Sequence, residues 1–173
     1  DPTISVGGIL KAIEGNIKVG KSDIFVSEAC EYTNSFLHFY PRYSVILNVE
    51  AEHLDFFKDI QDIRNSFRKF AENTKKDGAI IINGEIENYT ELTSGLDPQV
   101  ITFGLNDSCD YYPSDITFDK TACASFTAMH HGTPVMDVKL HVPGMHNVSN
   151  ALAAIALSLD LGISTDAILA GLS

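Results

Sequence analysis

Val26-Ser-Glu-Ala-Cys-Glu-Tyr-Thr-Asn-Ser-Phe-Leu-His-Phe-Tyr-Pro41 and, shortly after it, Ile46-Leu-Asn-Val-Glu-Ala-Glu-His-Leu-Asp55 decide the reading of this sequence. Each half reads as a buried apolar strand that runs straight into polar residues. Glu28 leaves the first strand and His53 the second. In open α/β sheets, ligands bind in the crevice beyond the carboxyl ends of the strands. A Glu and a His at the ends of neighbouring strands can converge there on one ion.

Working outward, Thr3 to Val6 is predicted as a short strand ending at Gly7-Gly8, and Lys18-Val19 as part of another. Asp23 to Ser27 and Tyr43 to Val49 are the two strands already quoted. Val45-Ile-Leu is apolar without alternation, as strands buried on both faces are. From Lys58 the period changes, and Ile60, Ile63, Phe67, Phe70 and Ala71 recur at helical spacing. Asp59 and Asp62 near the start of that helix and Lys75-Lys76 near its end suit the helix dipole. Ala79-Ile-Ile-Ile82 is predicted as a buried strand ended by Asn83-Gly84, Glu85 to Ser94 as a short helix and Val100 to Phe103 as a further strand. Strands alternating with helices argue for a mostly parallel sheet flanked by helices, an α/β fold.

From Tyr111 to Val142 the segments alternate apolar and polar residues, and His131-Gly132 sits where a hairpin turn belongs. This predicts a small antiparallel sheet attached to the parallel one. Pro143-Gly144 then precedes an Ala-rich helix from about Asn147 to Leu161. A last helix begins near Ser164, which can cap it.

Composition excludes several classes. The chain has 173 residues, 45% of them hydrophobic, enough for one domain with a real core. Twelve Lys and Arg against 23 Asp and Glu give a net charge of −11, and no basic face offers itself to nucleic acid or to an anionic membrane. The densest cationic stretch, Arg64 to Lys76, also holds Glu72 and reads as the solvated side of a helix. Three scattered cysteines, Cys30, Cys109 and Cys123, fit a reducing cytoplasm better than a disulfide framework or a zinc site. No apolar run approaches the roughly 18 residues of a membrane span.

Gly15-Asn-Ile-Lys-Val-Gly-Lys-Ser22 matches the phosphate-loop pattern G-x-x-x-x-G-K-[ST]. Such a loop needs a buried strand before it and a helix immediately after it, whose N-terminus supplies much of the anion site. Ile9 to Glu14 is not a buried strand, and Asp23-Ile-Phe-Val-Ser27 is strand-like. The match is read as chance. His130-His131 likewise reads as part of a turn, because adjacent strand residues face opposite ways. Glu50 and Glu52 either support a site or are solvated.

Three motifs together resemble the Mur ligase family. They are Glu28-Ala-Cys-Glu-Tyr-Thr-Asn-Ser-Phe-Leu37, Asn48-Val-Glu-Ala-Glu-His-Leu-Asp55 and Gly144-Met-His-Asn-Val-Ser-Asn-Ala-Leu-Ala-Ala154. The resemblance covers essentially the whole chain and is closest to the branch that joins L-alanine to UDP-N-acetylmuramic acid in peptidoglycan synthesis. It implies a P-loop-type central ATPase domain that uses ATP to activate a carboxylate as an acyl phosphate, which an amine then attacks. It also implies that Glu28 and His53 serve catalysis by binding Mg2+, and that Asn147, Asn150 and His146 hold the nucleotide. Ser35 and His38 match positions near the muramyl substrate. Cys30 stands where many relatives have Asp, and no catalytic role is assigned to it. Without the resemblance, Glu28 and His53 would read as capping or ion-paired groups, and the two Asn as helix-start residues.

The family's own phosphate loop, G-x-x-G-K-[ST]-T, is expected immediately upstream of Asp1. Residues 1–173 are therefore expected to be most of a central ATP-binding domain, without the family's N- and C-terminal domains and inactive alone. Two alternatives remain: a muropeptide ligase of cell-wall recycling, and a nucleotide-binding module without catalysis.

Overall fold

A computed structural model describes residues 1–173, which form two compact units, 1–38 and 39–173. In the first unit, β1 (Thr3–Leu10), β2 (Gly15–Lys18) and β3 (Phe25–Ser27) make a three-stranded sheet in the order β2-β1-β3. β2 runs antiparallel to β1 and β3 parallel to it. The three strand predictions at this end of the chain are thus members of one small sheet. Expected burial is not found: Phe25 is 57% and Val26 49% exposed. β3 lies at the edge of a three-stranded sheet, which covers too little of it.

The second unit holds a six-stranded sheet in sequential order: β4 (Tyr43–Ile46), β5 (Ala79–Asn83), β6 (Gln99–Phe103), β7 (Tyr111–Phe118), β8 (Cys123–His130) and β9 (Thr133–Pro143). β4 to β7 are parallel neighbours, and β7 to β9 are antiparallel. The antiparallel hairpins continue the parallel sheet rather than forming a second layer. Glu28 and His53 therefore come after strands of different sheets, which corrects the expectation of neighbouring strands. Tyr43–Ile46 is an edge strand, so Val45 is only half-buried and Leu47, already past the strand, is exposed.

Four helices accompany the strands: α1 (Ile60–Glu72), α2 (Thr90–Thr93), α3 (Met145–Asp160) and α4 (Thr165–Leu172). α3 packs on the Ala79 and Ile81 face of β5 through Val148, Leu152, Ile155 and Ala156, all essentially without solvent exposure. Alternation puts Ile80 and Ile82 on the opposite face, and both are 0% exposed. α1 covers that side, since Ser44 and Ile46 stand beside Ile80 and Ile82 in register and the Ser44 hydroxyl pairs with Thr74 at 2.6 Å, just past α1. Helices on both faces explain why Ile80-Ile-Ile82 shows no alternation in sequence.

The helix ends obey their chemistry. Asp59 caps α1 by accepting the Asp62 N–H at 2.9 Å. Arg64 donates to Asn88 O at 2.9 Å and to Glu91 at 3.1 Å, and Arg68 donates to Ser94 O at 2.8 Å. These two cations tie α1 to the segment around α2. That segment is turns from Glu85 to Tyr89 and helix only from Thr90, shorter than the Glu85–Ser94 helix expected. The His131-Gly132 turn is confirmed: both φ angles are positive, +47° and +80°, as a two-residue type I′ hairpin requires.

Candidate functional site

Glu28 sits just past β3, its N–H donating to Ser5 O at 2.9 Å. Its carboxylate Oε2 accepts the Gly7 N–H at 2.6 Å. A Cβ on Gly7 would stand 3.1 Å from that oxygen, so glycine allows the close approach. A charge-assisted bond of this kind fixes one carboxylate oxygen and leaves acceptor capacity on the other. Ser35 lies in the 3-10 segment Tyr32–His38, where Thr33 and Asn34 are left-handed; its hydroxyl lies 3.0 Å from Tyr32 O and 3.1 Å from Thr33 Oγ1. His38 ends the segment and is exposed. All three belong to the first unit.

The second unit holds the other four candidates. His53 is half-buried in the loop between β4 and α1, with a left-handed backbone at φ +53°. Its carbonyl accepts the N–H groups of Phe56 and Phe57, both at 2.9 Å, and Phe57 is 3% exposed. The His53 backbone is thus held by a tight turn anchored in the core. Asn48, Glu50 and Glu52 precede it; the Asn48 amide donates to Glu50 Oε1 at 2.6 Å, and Glu52 N–H donates to Glu50 O at 2.9 Å.

His146, Asn147 and Asn150 lie in the first turns of α3. Asn147 Nδ2 donates to Pro143 O at 2.8 Å, and Asn150 Nδ2 donates to Asn147 Oδ1 at 3.4 Å. The His146 ring is close enough to Gly144 that a Cβ there would stand 2.7 Å from its Cε1. The helix ends at Asp160, whose carboxylate neighbours Tyr43 at the start of β4 and lines a cavity with Gln99 at the start of β6. α3 therefore runs against the parallel strands, and its first turns lie toward their carboxyl ends. Leu47 to His53 leave β4 at the same end of the sheet. The second unit thus brings His53, His146, Asn147 and Asn150 to the edge where α/β proteins bind ligands.

A signal not singled out in the sequence completes this edge. Asn83, the last residue of β5, donates through Nδ2 to Leu47 O at 3.1 Å and accepts the Glu85 N–H at 2.9 Å. Glu85 Oε2 in turn accepts the Leu105 N–H beyond β6 at 3.0 Å. Three strand ends are stitched by side chains. The Asn83-Gly84 pair was visible in sequence only as a strand terminator. Beside it, burial and then the Glu85 charge push the Cys109 thiol up, so this cysteine is a packed, protonated group.

The chance phosphate-loop match is resolved by geometry. Gly20 N–H donates to Thr3 Oγ1 at 3.1 Å, while the Lys21 and Ser22 N–H groups both donate to Asp1 O at 3.0 Å. A strand, β3, comes next instead of a helix. The amides that would cradle phosphate are engaged within the unit.

The donor set fits magnesium in kind. Carboxylate oxygens suit a hard ion that keeps several waters, and Glu50, Glu52 and Asp55 flank His53 with more of them. Imidazole is the less expected partner, and a role through water suits it better.

Comparison with known proteins identifies the family. The profile of the Mur ligase middle domain matches residues 10–158. The chain belongs to the Mur ligase family. Its similarity to the UDP-N-acetylmuramate–L-alanine ligase of Agathobacter rectalis is 66% identity over 172 residues, covering 99% of this chain and 38% of that protein. The crystal structure of the UDP-N-acetylmuramate–alanine ligase MurC from Thermotoga maritima superposes with TM-score 0.82 at 31% identity, covering 99% of this chain and 37% of that one. MurF from Thermotoga maritima, solved in complex with ADP, shares the fold with TM-score 0.71 at 17% identity over 98% of this chain and 42% of that one. The chain spans less than two fifths of the length of the curated Mur ligases it matches. No helix is long and apolar enough to cross a membrane.

Proposed function

We propose that this chain is the central, ATP-handling domain of a cytoplasmic ligase that adds L-alanine to UDP-N-acetylmuramic acid in peptidoglycan synthesis. One observation carries the reading: 66% identity along 99% of the chain to a ligase of that specificity. Glu28, His53, His146, Asn147 and Asn150, the residues of the three motifs that the resemblance ties to magnesium and the nucleotide, support it, and the last four belong to the second unit. In this reading the family's phosphate loop and its N- and C-terminal domains lie outside residues 1–173, and the isolated chain is inactive.

In the first unit Glu28 would offer magnesium a carboxylate with one oxygen fixed by Gly7; in the second, His53 would offer an imidazole on a backbone held by the Phe56 and Phe57 N–H groups. Magnesium held there would offset the charge that develops on the phosphate during phosphoryl transfer. In the whole ligase a muramyl carboxylate oxygen would attack the terminal phosphorus of ATP, breaking its bond to the bridging oxygen and releasing ADP. The alanine amine would then attack the acyl carbon of the resulting acyl phosphate, forming the C–N bond as the C–O bond to phosphate breaks and the nitrogen loses a proton. Asn150 and Asn147 would hold the adenine, their carboxamides matching its donor and acceptor edges, with His146 beside them in the first turns of α3. Ser35 and His38 would contact the muramyl substrate.

The reading is tested in a ligase in which this chain forms the middle domain, with UDP-N-acetylmuramic acid, ATP and magnesium. ADP release that requires L-alanine, with the alanyl product seen by mass spectrometry, is the expected result. Release that requires a tripeptide instead would assign the chain to muropeptide recycling, and nucleotide binding without release to a non-catalytic module.

A further inference from the structure

The backbone ladder between β4 and β5 stops at the pair Ile46 and Ile82. The next step would pair Leu47 with Asn83. There the strands diverge, and the Asn83 side chain takes over, with Nδ2 donating to Leu47 O at 3.1 Å. The same carboxamide accepts the Glu85 N–H, so its orientation is set from both ends. A terminal amide with donor and acceptor both engaged has little rotational freedom.

The His53 loop begins directly after Leu47. Its far end is anchored by Phe57 in the core and by the Phe56 and Phe57 N–H groups on His53 O. Between the anchors lie local bonds: Asn48 on Glu50, Val49 N–H on Asn48 Oδ1 and Glu52 N–H on Glu50 O. The Leu47 end has Asn83 as its tether to the sheet. Leu47 itself is 46% exposed and gives little hydrophobic anchorage.

We infer that Asn83 is a positioning residue for His53: its side-chain amide clamps the carbonyl of Leu47 and thereby fixes the loop that presents the imidazole to magnesium. The inference rests on the proposed role of His53. Groups that support a metal ligand from behind are worth about 10–100-fold in metal affinity when removed. Asn83→Asp is the decisive change, because it keeps the acceptor for Glu85 N–H and removes the donor to Leu47 O. Asn83→Ala removes both.

The test uses a ligase in which this chain forms the middle domain, with magnesium half-saturation and the KM for ATP at saturating magnesium measured separately. His53→Ala and wild type are measured alongside, and thermal melts check folding. Asn83→Asp is expected to raise the magnesium requirement about tenfold or more while leaving the ATP KM within about twofold. Faster amide exchange at Val49 should accompany it. An unchanged magnesium requirement in a folded Asn83→Asp protein, with His53→Ala shifted, overturns the positioning role alone. If His53→Ala also leaves the requirement unchanged, the magnesium role of His53 has failed and the inference falls with it. A rise in ATP KM equal to the rise in magnesium requirement would mark a general structural defect and overturn it as well.

Discussion

Thr102 and Asp110 exchange three hydrogen bonds. The Thr102 N–H and hydroxyl donate to Asp110 Oδ2 at 2.7 and 2.9 Å, and the Asp110 N–H donates to Thr102 Oγ1 at 2.9 Å. β6 and β7 are joined by the single register pair Phe103 and Tyr111. The carboxylate therefore stands in for backbone pairing where the sheet turns from parallel to antiparallel. Asp110→Ala leaves a part-buried N–H and hydroxyl without partners, and is expected to cost about 2–3 kcal/mol. Urea melts check it; a loss below about 0.5 kcal/mol would mean that water replaces the carboxylate there.

Cys109 packs against two glycines at the ends of β5 and β6. A Cβ on Gly84 or on Gly104 would stand 2.8 Å from its sulfur. Gly104→Ala is expected to destabilise by about 1–3 kcal/mol, as overpacked interiors do. The penalty should shrink when Cys109 is also changed to Ala. Equal penalties in both backgrounds, read from a double-mutant cycle, would place the strain elsewhere.

Asn147 and Asn150 separate a structural from a binding effect. Asn147 holds Pro143 O, so Asn147→Ala is expected to cost about 1 kcal/mol of stability. Asn150→Ala removes only a long 3.4 Å bond and should leave the melt unchanged. Both should raise the KM for ATP in a ligase containing this domain. A normal KM in Asn150→Ala would remove it from the nucleotide site.

His130 stacks on Tyr111 with ring centroids 4.2 Å apart and planes 9° from parallel. Burial, and then the charge of His131, hold its pKa below the ordinary value of 6.5, while Asp110 opposes them. A base whose pKa is lowered in the folded state contributes stability that is present above pH 6.5 and lost as pH falls through the lowered value. His131, Asp110, Tyr111 and Asp160 line the cavity beside it. His130→Phe keeps the stack and removes the titration. Its Tm is expected to fall less than that of wild type between pH 7 and pH 5; parallel curves would contradict the assignment.

The buried strands of the parallel sheet, both packed helices and the hairpin at His131-Gly132 were legible because each arises from local periodicity or turn chemistry. Ile80-Ile-Ile82 reads as a strand covered on both faces, and it is. Asp23 to Ser27 carries the same apolar signal but ends exposed in a separate sheet, because sequence periodicity cannot say which strands become neighbours. Motif identity marked His53 and Asn147 without showing what holds them. Asn83 escaped notice because a strand-ending Asn has a sufficient local explanation in the turn after it. Its bond to Leu47 joins residues 36 positions apart and becomes visible only in three dimensions.

The most direct test is alanine-dependent ADP release by a ligase with this middle domain, compared among Lys21→Ala, Glu28→Gln and His53→Ala. Activity near wild type for Lys21→Ala, with losses of about 100-fold or more for the other two, is the expected result. Loss of activity in Lys21→Ala, with Glu28→Gln and His53→Ala retaining theirs, would mean that Gly15 to Ser22 is a working phosphate loop and that the magnesium roles given to Glu28 and His53 are wrong.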